Sequence, residues 1–147
     1  MPQFARPDAD TTIGNYTDQA GGVVNIYLTI DEVSADDADF VRSPTSPATE
    51  VYVCRLSDVT DPVSSSTHTM RMRTSCDQDA QETLDFVQQL RMTYVNEGAQ
   101  GTLIASQSRS GVSSTTWTTS SYTLSAAEAD AITDYTALFF RFTINKP

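Results

Sequence analysis

"TLDFVQQLRMTYV" spans residues 83–95, and Leu84, Phe86, Leu90, Met92 and Tyr94 fall on one side of it. Side chains on a strand alternate between two faces, whereas an amphipathic helix repeats its apolar positions every three or four residues. The stretch therefore predicts a long strand with one buried face. The same alternation recurs on both sides. "VVNIYLTI" (23–30) places Val24, Ile26, Leu28 and Ile30 together, and "ALFFRFTI" (137–144) places Leu138, Phe140, Phe142 and Ile144 together. "EVYVCRLS" (50–57) carries apolar groups on both faces, and "THTMRMRT" (67–74) points His68, Met70 and Met72 one way and Thr69, Arg71 and Arg73 the other. "TLIASQSR" (102–109) and "TTWTTSSYTL" (115–124) complete the set.

Turn chemistry separates these runs at "DQAGG" (18–22), "SPTSP" (43–47), "SDVTDPVSSS" (57–66), "NEGAQG" (96–101) and "SGVSS" (110–114). Ser and Thr make up about a quarter of the chain, and no long helical pattern interrupts it. Many short strands with almost no helix predict an all-β fold, an antiparallel two-sheet β-sandwich with jelly-roll-like connections. Residues 1–12 lack periodicity and are expected to form an extended N-terminal arm, with residues 13–147 as a single domain.

The formal net charge is -10, and within residues 1–40 Arg6 is the only base, against eight acids. Such a balance disfavours nucleic acid and anionic membrane surfaces as partners and favours a surface with basic patches. The start at Met1, with no apolar segment behind it, is expected to mark a whole gene product made in the cytoplasm. Cys54 and Cys76 are the only cysteines and lack zinc-site spacing. They are expected to be unbridged, with Cys54 a core thiol. A hairpin of 50–57 with 67–74 would set the two apart.

"SADDADFV" (34–41) and "SAAEADAI" (125–132) match at Ser, Ala and a later Ala-Asp. Ser34 with Asp37, and Ser125 with Glu128, have the spacing of a capping box, in which a serine hydroxyl and an acid three residues on satisfy each other's backbone N–H groups. One mechanism then explains both copies as single-turn helices in loops. The alternative is calcium held by Asp31, Glu32, Asp36, Asp37 and Asp39, but the EF-hand pattern is absent.

Motifs for chemistry are sparse. His68 is the only histidine and alternates with Met70 and Met72, which suits a hydrogen-bonded core residue better than a general base. No G-x-S-x-G and no phosphate loop is present. Loop acids are plentiful, but nothing singles out a glycosidase pair. No catalytic residue and no cofactor or metal is expected. Arg71, Arg73, Arg91 and Arg141 lie within strands, either paired across the sheet or forming contacts between subunits. Trp117 is expected in the core; exposed, it could stack on sugar.

"ARPDAD" (5–10), "IDEVSADDADFV" (30–41), "LSDVTDP" (56–62) followed by His68, and "YTLSAAEADAITDYTALFFRFT" (122–143) resemble small β-sandwich proteins and domains of tailed bacteriophages. Those begin with an Arg-Pro-x-x-Asp segment, carry an "IDE…DDADYI"-like turn, and close with a Leu-Thr-x-x-[Glu/Gln]-Ala-Asp segment before the last strand. Phe40 replaces the usual tyrosine here. The resemblance implies a virion setting and carries no catalytic residues. A capsid decoration (cement) protein on the head surface is then expected, as a homo-trimer against the major capsid protein. Phe4, Arg6, Asp8 and Asp10 would touch the shell. The alternative is a receptor- or carbohydrate-binding appendage, with Trp117 or Tyr122 exposed.

Overall fold

The computed structural model describes residues 3–76 and 83–147. Nine strands are present among them: β1 (Pro7–Thr12), β2 (Thr17–Asp18), β3 (Val41–Arg42), β4 (Glu50–Leu56), β5 (Thr69–Thr74), β6 (Leu84–Met92), β7 (Thr102–Val112), β8 (Thr118–Thr123) and β9 (Leu138–Asn145). A 3-10 helix (Ile26–Thr29) and one short α-helix, α1 (Ala126–Asp130), sit in connections. All pairing is antiparallel, in a five-stranded sheet ordered β1-β4-β9-β6-β7 and two ribbons, β2-β3 and β5-β8. The fold is nearly all-β and sandwich-like, in agreement with the alternation in the sequence.

The inner face of the large sheet carries two cores, one toward each end of its strands. Leu56, Leu90, Met92, Ile104 and Leu138 form the first with Met70, Leu124 and Ile132 from the β5-β8 side. Tyr52, Cys54, Leu84, Val112 and Ile144 form the second with Tyr16, Ile26 and Cys76. Phe140 packs against both. Between the layers, the buried Gln88 amide on β6 donates to the Arg71 carbonyl on β5 and accepts from Gln107 on β7. Buried amides are stable in a core only when so satisfied.

Several expectations are corrected. The run 23–30 is not a strand. Its donors are captured from a distance: the Asp10 carboxylate accepts from the N–H groups of Ile26 (2.8 Å) and Tyr27 (3.0 Å) and from the Tyr52 hydroxyl (2.9 Å). With Asn25 in the left-handed region (φ 55°), the chain turns into a 3-10 helix that buries Ile26 and leaves Val24 and Leu28 outside. Residues 7–12, expected in the arm, are the edge strand β1 paired with β4; residues 1–2 lie outside the described residues. β7 continues through the expected "SGVSS" turn as far as Val112.

No hairpin joins β4 to β5, which belong to different sheets. Cys54 and Cys76 are nevertheless unbridged, both buried in the second core. Burial first, then the Asp10 charge, raises the Cys54 thiol well above its ordinary range, so it packs as a neutral apolar group.

Candidate functional site

The four residues expected to meet a shell have divergent surroundings. Phe4 is exposed. Arg6 is half-buried, and its Nε lacks a hydrogen-bond partner among the described residues. Asp8 on β1 is clamped by the Arg55 guanidinium of β4, with Nε–Oδ1 at 2.9 Å and Nη2 on Oδ2. Asp10 is an internal cap, its carboxylate engaged as described above. Asp8 and Asp10 thus belong to the fold, and removing residues 1–12 would strip an edge strand from the sheet.

The in-strand arginines do not form one patch. Arg71 and Arg73 project from β5 opposite the buried Met70, Met72 and Thr74. Arg91 and Arg141 project from the other side of the sandwich, on the outer face of β6 and β9. Arg73 is bidentate to Asp37 (2.6 and 2.7 Å) and also reaches Thr119. Arg141 is bidentate to Glu97 (3.0 and 2.6 Å), and Glu97 also accepts from the Tyr94 hydroxyl. The Arg141 bonds, more than burial, dominate Glu97 and hold its carboxyl below the ordinary range. Arg91 is held by the Gln89 side chain and the Gln100 carbonyl. Arg71 carries no side-chain hydrogen bond or ion pair among the described residues.

The acidic run 31–39 is a surface loop. Asp36 accepts from the Ala38 N–H, Asp39 from the Gln19 amide, and Asp37 from Arg73. Among the described residues, no three His, Cys, Asp or Glu side chains are grouped to hold a metal ion. Ser34 caps no helix: the first octapeptide copy has none, and there Asp37 is drawn to Arg73 while Asp36 makes a local turn. Ser125 caps α1 with both halves of the box present.

Four large apolar side chains stand out from one connection. Val23, Val24, Leu28 and Val33 are 55%, 74%, 51% and 72% exposed, in the connection that also carries the acids of 31–39. Alternation could not reveal them, since it predicted a strand burying Val24 and Leu28.

His68 Nε2 lies 2.8 Å from the Tyr135 hydroxyl, and its Nδ1 is buried without a partner among the described residues. Tyr135 lines an open recess of about 490 Å³ with Gln3, Asp58, Asp61 and Asp134. The only imidazole is thus paired to a phenol, not to a serine or a carboxylate. Tyr122 is half-buried against the first core and gives its hydroxyl to Glu128, so it is no exposed stacking platform.

Trp117 is neither in the core nor free. It packs against Phe40, with ring centroids 5.6 Å apart, and the Arg42 guanidinium lies 5.5 Å from the centroid of Phe40. These three side chains line a groove of about 460 Å³ that runs along the 43–47 loop and bottoms on Cys76, Leu84 and Ile144. Sequence reading singled out Trp117 but missed its partners, because Phe40 and Arg42 are far from it in the chain. No family model, curated protein or solved structure matches the chain.

Proposed function

We propose that the chain is a non-enzymatic structural protein of a tailed-bacteriophage particle, a decoration protein that binds and strengthens the outer surface of the head shell. Its partners in this reading are the major capsid protein and two further copies of itself. The observation that carries the reading is the segment 23–39, a single connection that exposes four apolar side chains and carries five acids. Apolar groups left in water by folding mark a contact surface, and the acids favour a basic counterpart. The resemblance of the four sequence stretches to phage β-sandwich proteins supplies the setting.

The reading departs from an N-terminal arm as anchor. β1 and the Asp10 cap tie that end into the sandwich, so the shell contact moves to the 23–39 connection. The test is co-sedimentation with purified head shells that lack the protein. Binding is expected to saturate and to weaken as salt rises, because charge attraction is screened within about 8–10 Å at physiological ionic strength. Val24→Ser and Val33→Ser should each weaken binding about tenfold with no loss of fold. Failure of the native chain to co-sediment, or unchanged binding by both variants, would overturn the reading.

A further inference from the structure

The Phe40–Arg42–Trp117 groove lies beyond the proposed shell contact and uses none of its exposed valines. Its electrostatics differ from those of the rest of the molecule. The chain carries 19 acids against 9 bases, yet the described residues lining the groove include no Asp or Glu and one arginine. Arg42 makes no ion pair among the described residues; its guanidinium rests on the Phe40 ring. Among the described residues no other charged group lines the groove, so an anion here meets the Arg42 guanidinium with no lining acid beside it.

Hydroxyls complete the lining. Thr45, Ser46, Ser75 and Thr115 make no side-chain hydrogen bond among the described residues, and three of them are exposed. An aromatic pair, hydroxyls and a guanidinium without ionic partners among the described residues meet in a space that falls within the roughly 300–1,000 Å³ typical of small-molecule sites. Each component matches one part of a single ligand class. The C–H face of a sugar ring packs on an aromatic surface, its hydroxyls exchange hydrogen bonds with serine and threonine, and a ring carboxylate suits the planar guanidinium fork. A hydrophobic peptide side chain would leave the hydroxyls and Arg42 without partners.

We infer that this groove binds a carboxylate-bearing saccharide, with its ring against Trp117 and its carboxylate on Arg42. The proposal does not depend on the shell partner and is tested on the purified chain alone. Trp117 is the only tryptophan, so indole fluorescence reports on the groove directly. D-Glucuronic acid and N-acetylneuraminic acid should each give a saturable change, and glucose should bind about tenfold more weakly, as expected for loss of one charged hydrogen bond. Arg42→Gln should bring the acidic sugars to the level of glucose, and Arg42→Lys should restore part of the difference. Arg42 is exposed, so an unchanged melting curve is expected for both variants and is checked alongside. No saturable response to either acid, equal binding of glucose, or full affinity in Arg42→Gln would each overturn the inference.

Discussion

The two octapeptides share a serine, an acid three positions on and an Ala-Asp pair, yet one is a helix and the other is not. At 125–132 the Ser125 hydroxyl accepts from the Glu128 N–H (3.3 Å), while the Glu128 carboxylate takes the Ser125 N–H (2.7 Å) and hydroxyl (2.8 Å). Behind the helix, Ala129 and Ile132 are buried. At 34–41 the acid is one methylene shorter, a strand arginine competes for it, and the chain ends in Val41 of β3, which is only half-buried against the second core. A capping motif therefore forms a helix only where the side chain can reach back and where the next turn has a core to land on. Local pattern proposes and packing decides, as expected when helices of this length are too short to be stable alone.

The comparison can be broken most severely at its anchors. Ile132→Ala should cost about 3 kcal/mol in chemical denaturation, as for other buried large-to-small changes, whereas Val41→Ala, at a half-buried site, should cost less than half of that. Equal costs would mean that both copies rest on the core alike. The caps come next. Ser125→Ala should cost about 1 kcal/mol, and Ser34→Ala should stay within about 0.5 kcal/mol of the native chain. A comparable loss from Ser34→Ala would reveal a cap in the first copy.

A pH titration sharpens the difference further. Bonds from the Ser125 N–H first, then from the Ser125 and Tyr122 hydroxyls, hold the Glu128 carboxyl below its ordinary value of 4.5. A carboxylate with a depressed folded pKa contributes stability above its unfolded pKa and loses it as the pH falls through the folded one. Glu128→Gln should therefore melt below the native chain at neutral pH, with the gap closing below pH 4.5. Smallest is the effect of freeing Asp37. Arg73→Gln removes an exposed ion pair, so the melting temperature should barely move and far-UV circular dichroism should gain no helix. A gain of helix would show that Arg73 alone suppresses the first copy.

Alternation made β6 and β9 legible in the sequence, because both are central in the large sheet and turn every second residue toward the cores, whereas β4 buries Tyr52, Val53 and Cys54 in a row. It misled at 23–30, where the pattern was as good but a carboxylate from β1 took the backbone donors. It was silent on β1 itself, since an edge strand is joined by backbone bonds and its side chains are half-buried without a clear period. The groove was legible only as Trp117. Its other walls come from a loop and a two-residue strand whose positions depend on the β2-β3 pairing.

Gln88 has a consequence for how the layers line up. Leucine or methionine in its place would fill the same gap but would treat neighbouring alignments of β5 over β6 alike. The amide does not: it is matched only when the Arg71 carbonyl stands over it and Gln107 lies beside it. Sliding the ribbon along the sheet would leave a buried amide unmatched, at about 1–3 kcal/mol. Among neighbouring leucine and methionine side chains that would tolerate a shift, this side chain acts as a notch that admits one alignment and rejects its neighbours.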